Sequence, residues 1–139
     1  MSPFIKLFGA LHIRVYRATG GKLGGAVAGG KVLLLTTTGN KSGAERTVPV
    51  MYFEDGGNNY VVASFGGRPE HPAWYKNLSA KPQVTVQIGP RVFSAKAVTV
   101  DEAERVRLFE KVKTEMKQFA GYEKKTQRVI PIVRLDPAS

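Results

Sequence analysis

The sequence predicts a mainly β domain: an antiparallel six-stranded barrel, closed or nearly closed, with flanking helices. Three observations carry this. Six short runs rich in β-branched residues, 31–38, 46–54, 59–64, 83–88, 91–100 and 128–135, are each bounded by turn formers. Glu54–Asn59 ("EDGGNN") and Gly89-Pro90 are hairpin-type connections, so neighbouring strands pair antiparallel. Only two helical segments interrupt the series, and closing the sheet removes the exposed edges that an open one would leave.

The elements follow in order. Ser2-Pro3 can start a helix in which Phe4, Leu7, Phe8, Leu11 and Val15 fall on one face, with Lys6, Arg14 and Arg17 opposite. Such a helix either covers one end of the domain or rests its basic face on an anionic lipid surface, and core-facing packing is the commoner use. Thr19–Gly30 holds six glycines and reads as a flexible connection. Residues 1–30 therefore form a helix and a Gly-rich connection, and 31–139 form the barrel domain. Within 71–79 ("HPAWYKNLS") a brief helix is expected, beginning near Pro72, which can sit in its first turn. A second helix opens at Thr99, where Thr99 and Glu102 make a capping box, and carries the stripe Val106, Phe109, Val112, Met116 and Phe119.

Composition narrows the chemistry. The 139 residues are 42% hydrophobic, which suits one compact domain. Lys and Arg number 21 against 11 acids, a net charge of +10 that favours phosphates, polycarboxylates or an anionic membrane face. The first acid in the chain is Glu45. There is no cysteine, and His12 and His71 are too few for a convincing metal cluster, so a metal-free site is expected. Neither a signal peptide nor an apolar run of roughly 18 residues is evident, so a cytoplasmic location is expected. Gly25–Lys31 spells a P-loop, but Val32 stands where a Ser or Thr must bind magnesium, and the strand follows the loop rather than preceding it. No nucleophile motif appears, and the paired acids are accounted for by turn and helix-dipole chemistry.

Two loops remain. "GNKSGAER" (39–46) joins two strands and places Lys41, Ser42 and Arg46 around small residues, so it is either a solvated hairpin or an anion-binding loop. "ASFGGRPEHPAWYKN" (63–77) leads into the short helix. There Trp74 and Tyr75 can wall a planar apolar ligand, with Asn77 and amides near Ser64 and Gly66 at its edge, or Trp74 can plug a barrel end.

Together, "LLLTTTGNKSG", Arg46, Pro49, "VVASFGG", "HPAWYKNL", "KPQVTVQI" and "RVIPIV" resemble the deazaflavin-dependent nitroreductase family in order and spacing, from about Val32 to Leu135. These are split β-barrel, FMN-binding-like reductases that use coenzyme F420, an 8-hydroxy-5-deazaflavin, and include quinone reductases. The resemblance implies that Asn40, Lys41, Ser42 and Arg46 meet the coenzyme's phosphate and tail. It places the strand Thr47, Val48, Pro49, Val50 and Met51 along the ring system. Ser64, Phe65, Gly66 and Gly67 would form the second loop, and Ala73, Trp74, Tyr75 and Asn77 the adjoining wall. Met116, Phe119 and Tyr122 match substrate-pocket positions, with Tyr122 as the catalytic proton donor unless solvent takes that part. Many relatives carry arginine at the position of Asn40 and lysine at that of Phe65, which implies a weaker grip on the polyglutamate tail here.

The implied function is hydride transfer from reduced F420 to quinones, activated alkenes or nitroaromatics, with peripheral membrane contact through residues 1–17. The nearest alternative is a split-barrel oxidoreductase or carrier using FMN. A basic barrel for single-stranded nucleic acid ranks third, because the aromatics cluster at one loop and do not alternate with Lys and Arg along strands; no nucleic-acid partner is expected.

Overall fold

The structure is a computed structural model and describes residues 13–14, 16–18, 26–27, 30–39, 41–63, 71–115 and 129–138. Seven strands are described: β1 (Ala26–Val27), β2 (Gly30–Thr38), β3 (Glu45–Asp55), β4 (Asn58–Val62), β5 (Gln83–Ile88), β6 (Arg91–Thr99) and β7 (Ile132–Pro137). Two helices lie among them, α1 (Ala73–Ala80) and α2 (Glu102–Glu115). The order β2-β3-β4-β7-β6-β5 closes on itself through a β5–β2 pairing, every contact antiparallel. This is the expected six-stranded barrel. β1 is an addition: two residues of the Gly-rich stretch pair with Gly30 and Lys31 at the start of β2.

Period-two patterning fills the barrel from within. Leu33 and Leu35, Val50 and Tyr52, Val84 and Val86, and Ala95 and Ala97 point inward and meet Val61, Val133 and Leu135 in one cluster. The intervening side chains of β3, β4 and β7 point outward, where Phe53, Tyr60, Val62 and Ile132 meet Leu108, Phe109 and Val112 of α2. Phe53 and Tyr60, cross-strand partners, stack at 5.3 Å.

One departure from ring closure matters most. β3 pairs with β4 only from Tyr52 to Asp55, because beyond Val61 strand β4 stays with β7: the Ala63 N–H donates to the Pro131 carbonyl at 3.0 Å. From Glu45 to Met51, β3 pairs with β2 alone among the described residues. The barrel is split along that edge.

Helix α1 closes the barrel end beside the split. Pro72 is its N-cap, and Leu78 reaches the core. The Asn77 amide donates to the Thr37 hydroxyl at 3.1 Å, both groups being buried, which fixes α1 on β2.

Helix α2 begins at Glu102 rather than Thr99. Thr99 is still in β6, paired with Val133, and Asp101 caps the helix by accepting from the Glu104 N–H at 2.9 Å. The expected stripe is also rotated: Leu108, Phe109 and Val112 are buried while Val106 is 49% exposed, and Met116 and Phe119 lie outside the described residues. The helix is clamped to the β3–β4 hairpin. Lys111 donates to the Glu54 carbonyl at 2.7 Å and to Asp55 at 3.0 Å, and Arg107 reaches Asp55 at 2.9 Å.

Two predictions follow from these contacts. Asn77→Ala removes the donor from a buried hydroxyl and is expected to lower stability by about 2 kcal/mol in urea or thermal unfolding; a change near zero would mean that the bond does not hold α1. The guanidinium of Arg107 and the ammonium of Lys111 hold the Asp55 carboxyl below its ordinary value. A carboxylate with a depressed folded pKa stabilises the fold above its unfolded value, about pH 4, and loses that contribution as pH falls through the folded value. Asp55→Asn is therefore expected to cost roughly 1 kcal/mol at neutral pH, with the gap to wild type closing in acid. A gap unchanged from pH 7 to pH 3 would contradict the pairing.

Candidate functional site

The β2–β3 turn is built by glycine and hydroxyl chemistry. The Gly39 N–H donates to the Ala44 carbonyl at 2.7 Å, the Gly43 N–H to the Gly39 carbonyl at 2.9 Å, and the Ala44 N–H to Ser42 Oγ at 3.2 Å. Gly43 has φ +73°, and a Cβ on Gly39 would stand 2.7 Å from Ser42 Oγ and 3.0 Å from the Ala44 carbonyl, so neither position takes a side chain without rearrangement. Those three amides are engaged within the turn. Of the described residues, Lys41 and Ser42 keep backbone N–H groups that can face a ligand. Ser42 Oγ accepts from Ala44 and retains its own O–H to donate.

Lys41, Ser42 and Arg46 are all exposed, and the two cations form no ion pair among the described residues. The paired carboxylates lie elsewhere, at Glu54, Asp55, Glu102, Glu104, Glu110 and Asp136. Two exposed cations that form no ion pair with the one carboxylate of the turn, Glu45, suit an anionic ligand. Asn40 lies outside the described residues.

Along β3 the alternation divides the expected coenzyme strand. Val48 and Val50 face the barrel core, whereas Thr47, Pro49 and Met51 face outward, with Met51 against the α2 cluster. A ligand on the open edge can meet the side chains of the second set but only the backbone of the first. The Thr47 hydroxyl is 2.7 Å from that of Thr36, and the Arg17 guanidinium donates to Thr47 Oγ1 at 3.3 Å. Sequence reading gave Arg17 no part in this site, placing it on the basic face of the N-terminal helix, toward solvent or an anionic lipid surface. Its neighbour Tyr16 is buried against the barrel, where its hydroxyl donates to the Gln87 carbonyl at 3.2 Å and accepts from the Gly89 N–H at 2.8 Å. The described part of the N-terminal segment thus packs on the domain. Phe4, Lys6, Leu7, Phe8, Leu11 and Val15 lie outside the described residues.

The wall is partly engaged by the fold. Trp74 and Tyr75, half-buried, pack on the barrel core with their rings edge to face at 6.4 Å. The Tyr75 ring lies 4.9 Å from His71, and its hydroxyl is 3.2 Å from Thr99 Oγ1. Ala73 is exposed at the start of α1, and Asn77 is bonded to Thr37. Ser64, Phe65, Gly66, Gly67, Met116, Phe119 and Tyr122 lie outside the described residues. Below the split, burial first and the Glu54 carboxylate second push the Tyr52 phenol up, so it stays protonated at neutral pH.

A shallow groove of about 300 Å³ lies on the outer face beyond β2, lined by Thr36, Thr38, Glu45, Thr85, Ser94 and Lys96 among others. It is open and rich in hydroxyls, without an aromatic wall, and fits a planar ring less well than the split. No group of three His, Cys, Asp or Glu side chains among the described residues could hold a metal ion. The donor set along β3 does fit F420: cations for a phosphate, an exposed serine hydroxyl and, among the described residues, a strand edge free for a ring with polar margins, with the aromatic side chains of α1 packed over the barrel core.

Comparison with known proteins agrees. Residues 10–137 match the model of the F420H(2)-dependent quinone reductase family. An F420H(2)-dependent quinone reductase of Mycobacterium tuberculosis is 39% identical over 129 residues, covering 90% of this chain and 87% of that protein. Among solved structures, an F420-H2 dependent reductase (FDR-A) superposes with TM-score 0.68 at 40% identity, over 76% of this chain and 93% of the other. A second, described as a domain-swapped dimer, superposes with TM-score 0.71 at 35% identity, over 97% and 100%. With the split barrel, the cationic turn and a match over nearly the whole length, the chain belongs to the F420H(2)-dependent quinone reductase family.

Proposed function

We propose that the chain oxidises reduced coenzyme F420 and reduces quinones, with activated alkenes and nitroaromatics as further acceptors of the same electron-poor kind. The observation that carries this reading is the edge of β3 from Glu45 to Met51, which begins at the cationic turn and has β2 as its one partner among the described residues. When bound, the deazaflavin supplies the hydride. The protein's own part is binding and orientation. Lys41, Ser42 and Arg46 hold the phosphate, while Thr47, Pro49 and Met51 flank the ring. Trp74 and Tyr75 exclude water from one side. Met116, Phe119 and Tyr122 shape the acceptor pocket, and Tyr122 donates the proton that an acceptor oxygen requires as negative charge develops on it. No metal takes part.

A quinone dissolved in lipid favours a site near the membrane. No described helix is long and apolar enough to cross one. Contact at the inner face of the cell membrane would use basic side chains of the N-terminal segment, among them Lys6 and the exposed Arg14. The double variant Lys6→Glu, Arg14→Glu is expected to lose binding to vesicles rich in anionic lipid at low salt; undiminished binding would rule this contact out.

The enzymatic reading is tested by following oxidation of the reduced coenzyme with menadione. Wild type is expected to turn over. Lys41→Ala should raise the coenzyme KM roughly tenfold with kcat little changed, as loss of a phosphate contact does. Tyr122→Phe should lower kcat with the coenzyme KM retained. Absence of turnover with menadione, an enone and a nitroaromatic, together with tight binding of FMN in place of the deazaflavin, would replace the proposal with a flavin-binding role.

A further inference from the structure

We infer that Arg17 is an additional contact to the coenzyme's phosphate, delivered to the coenzyme strand by the N-terminal segment; this rests on the coenzyme assignment proposed above. The first support is placement. Tyr16 is 1% exposed, and both hydrogen bonds of its hydroxyl are made to the β5–β6 turn, which fixes the backbone of the next residue against the barrel. From that anchor the Arg17 side chain crosses to Thr47, on the outward face of β3.

The second support is that this bond does not explain the arginine. A guanidinium carries five N–H donors in a planar fork, and one exposed contact of 3.3 Å to a neutral hydroxyl uses one of them. Such a contact adds little stability, and Tyr16 already secures the segment. No carboxylate among the described residues pairs with Arg17. A bidentate acceptor such as phosphate would satisfy donors that the protein leaves unused.

The third support is the arrangement of charge around one strand edge. Adjacent residues of a strand face opposite ways, so Arg46 stands on the other face of β3 from Thr47, where Arg17 arrives. An anion on the open edge near residues 46 and 47 can be approached from both faces, with Lys41 in the adjoining turn. The hydroxyl pair of Thr36 and Thr47 orients the outer contact. Arg17, Lys41 and Arg46 outnumber Glu45, the one carboxylate in this stretch, so the empty edge keeps an excess of positive charge that a bound phosphate offsets.

The test measures equilibrium binding of oxidised F420, and of the 8-hydroxy-5-deazariboflavin core that lacks the phosphate, to wild type, Arg17→Gln, Arg17→Lys and Arg105→Gln. Arg105 lies on α2, ion-paired to Glu102, and controls for the loss of one positive charge. Arg17→Gln is expected to weaken binding of the full coenzyme about tenfold. Arg17→Lys should fall between it and wild type, and Arg105→Gln should match wild type. All four should bind the phosphate-free core alike, and the melting temperature of Arg17→Gln should equal that of wild type. Equal binding of the full coenzyme by Arg17→Gln and wild type would overturn the role of Arg17 while leaving the coenzyme assignment standing. Equal weakening toward both ligands would show a structural effect and also overturn it. Failure of wild type to bind either ligand would overturn the coenzyme assignment and this inference with it.

Discussion

The separation of β4 from β3 is the constraint on which the rest depends. After Tyr52 pairs with Val61, β4 follows β7 through the Ala63–Pro131 bond, and among the described residues half of β3 has β2 as its one neighbour. An unpaired strand edge ordinarily invites aggregation, because its N–H and C=O groups seek partners. Under the proposed function it is the edge that the coenzyme ring, with its polar margins, would satisfy. Helix α1 fills the barrel end next to it, so the core does not open with the strands. The clamp of Lys111 and Arg107 on the far hairpin keeps β3 and β4 together where they do pair.

Charge follows the same geometry. The ion pairs lie largely on α2, the β3–β4 hairpin and the end of β7, where cations are matched by carboxylates. The β2–β3 turn, in contrast, keeps Lys41 and Arg46 without ion-pair partners among the described residues. The net charge of +10 is therefore not a uniform coat, and part of the excess is concentrated where the strand edge is open.

The barrel was legible because strand signals are local: alternation, β-branched residues and turn formers all lie within a few residues of what they determine. The errors arose where tertiary context overrides a local pattern. Thr99 satisfies the capping-box spacing, yet it remains in β6 opposite Val133, and the cap passes to Asp101. Val106 fits a helical stripe drawn from Phe109, but contact with Phe53, Tyr60 and Ile132 selects Leu108 instead. At the site, a turn carrying Lys41, Ser42 and Arg46 between two strands could be read from the sequence. The burial of Asn77 against Thr37 could not, since 40 residues separate them. Nor could the approach of Arg17, whose helical spacing says nothing about which strand lies beneath it.

The two hydrogen bonds of the Tyr16 hydroxyl have a consequence for assembly. They recognise a β-turn rather than a particular copy of it, so the Tyr16 of one chain fits the Gln87–Gly89 turn of another as well as its own. Covalent connection favours the internal contact, because it raises the local concentration of the anchor at its own turn.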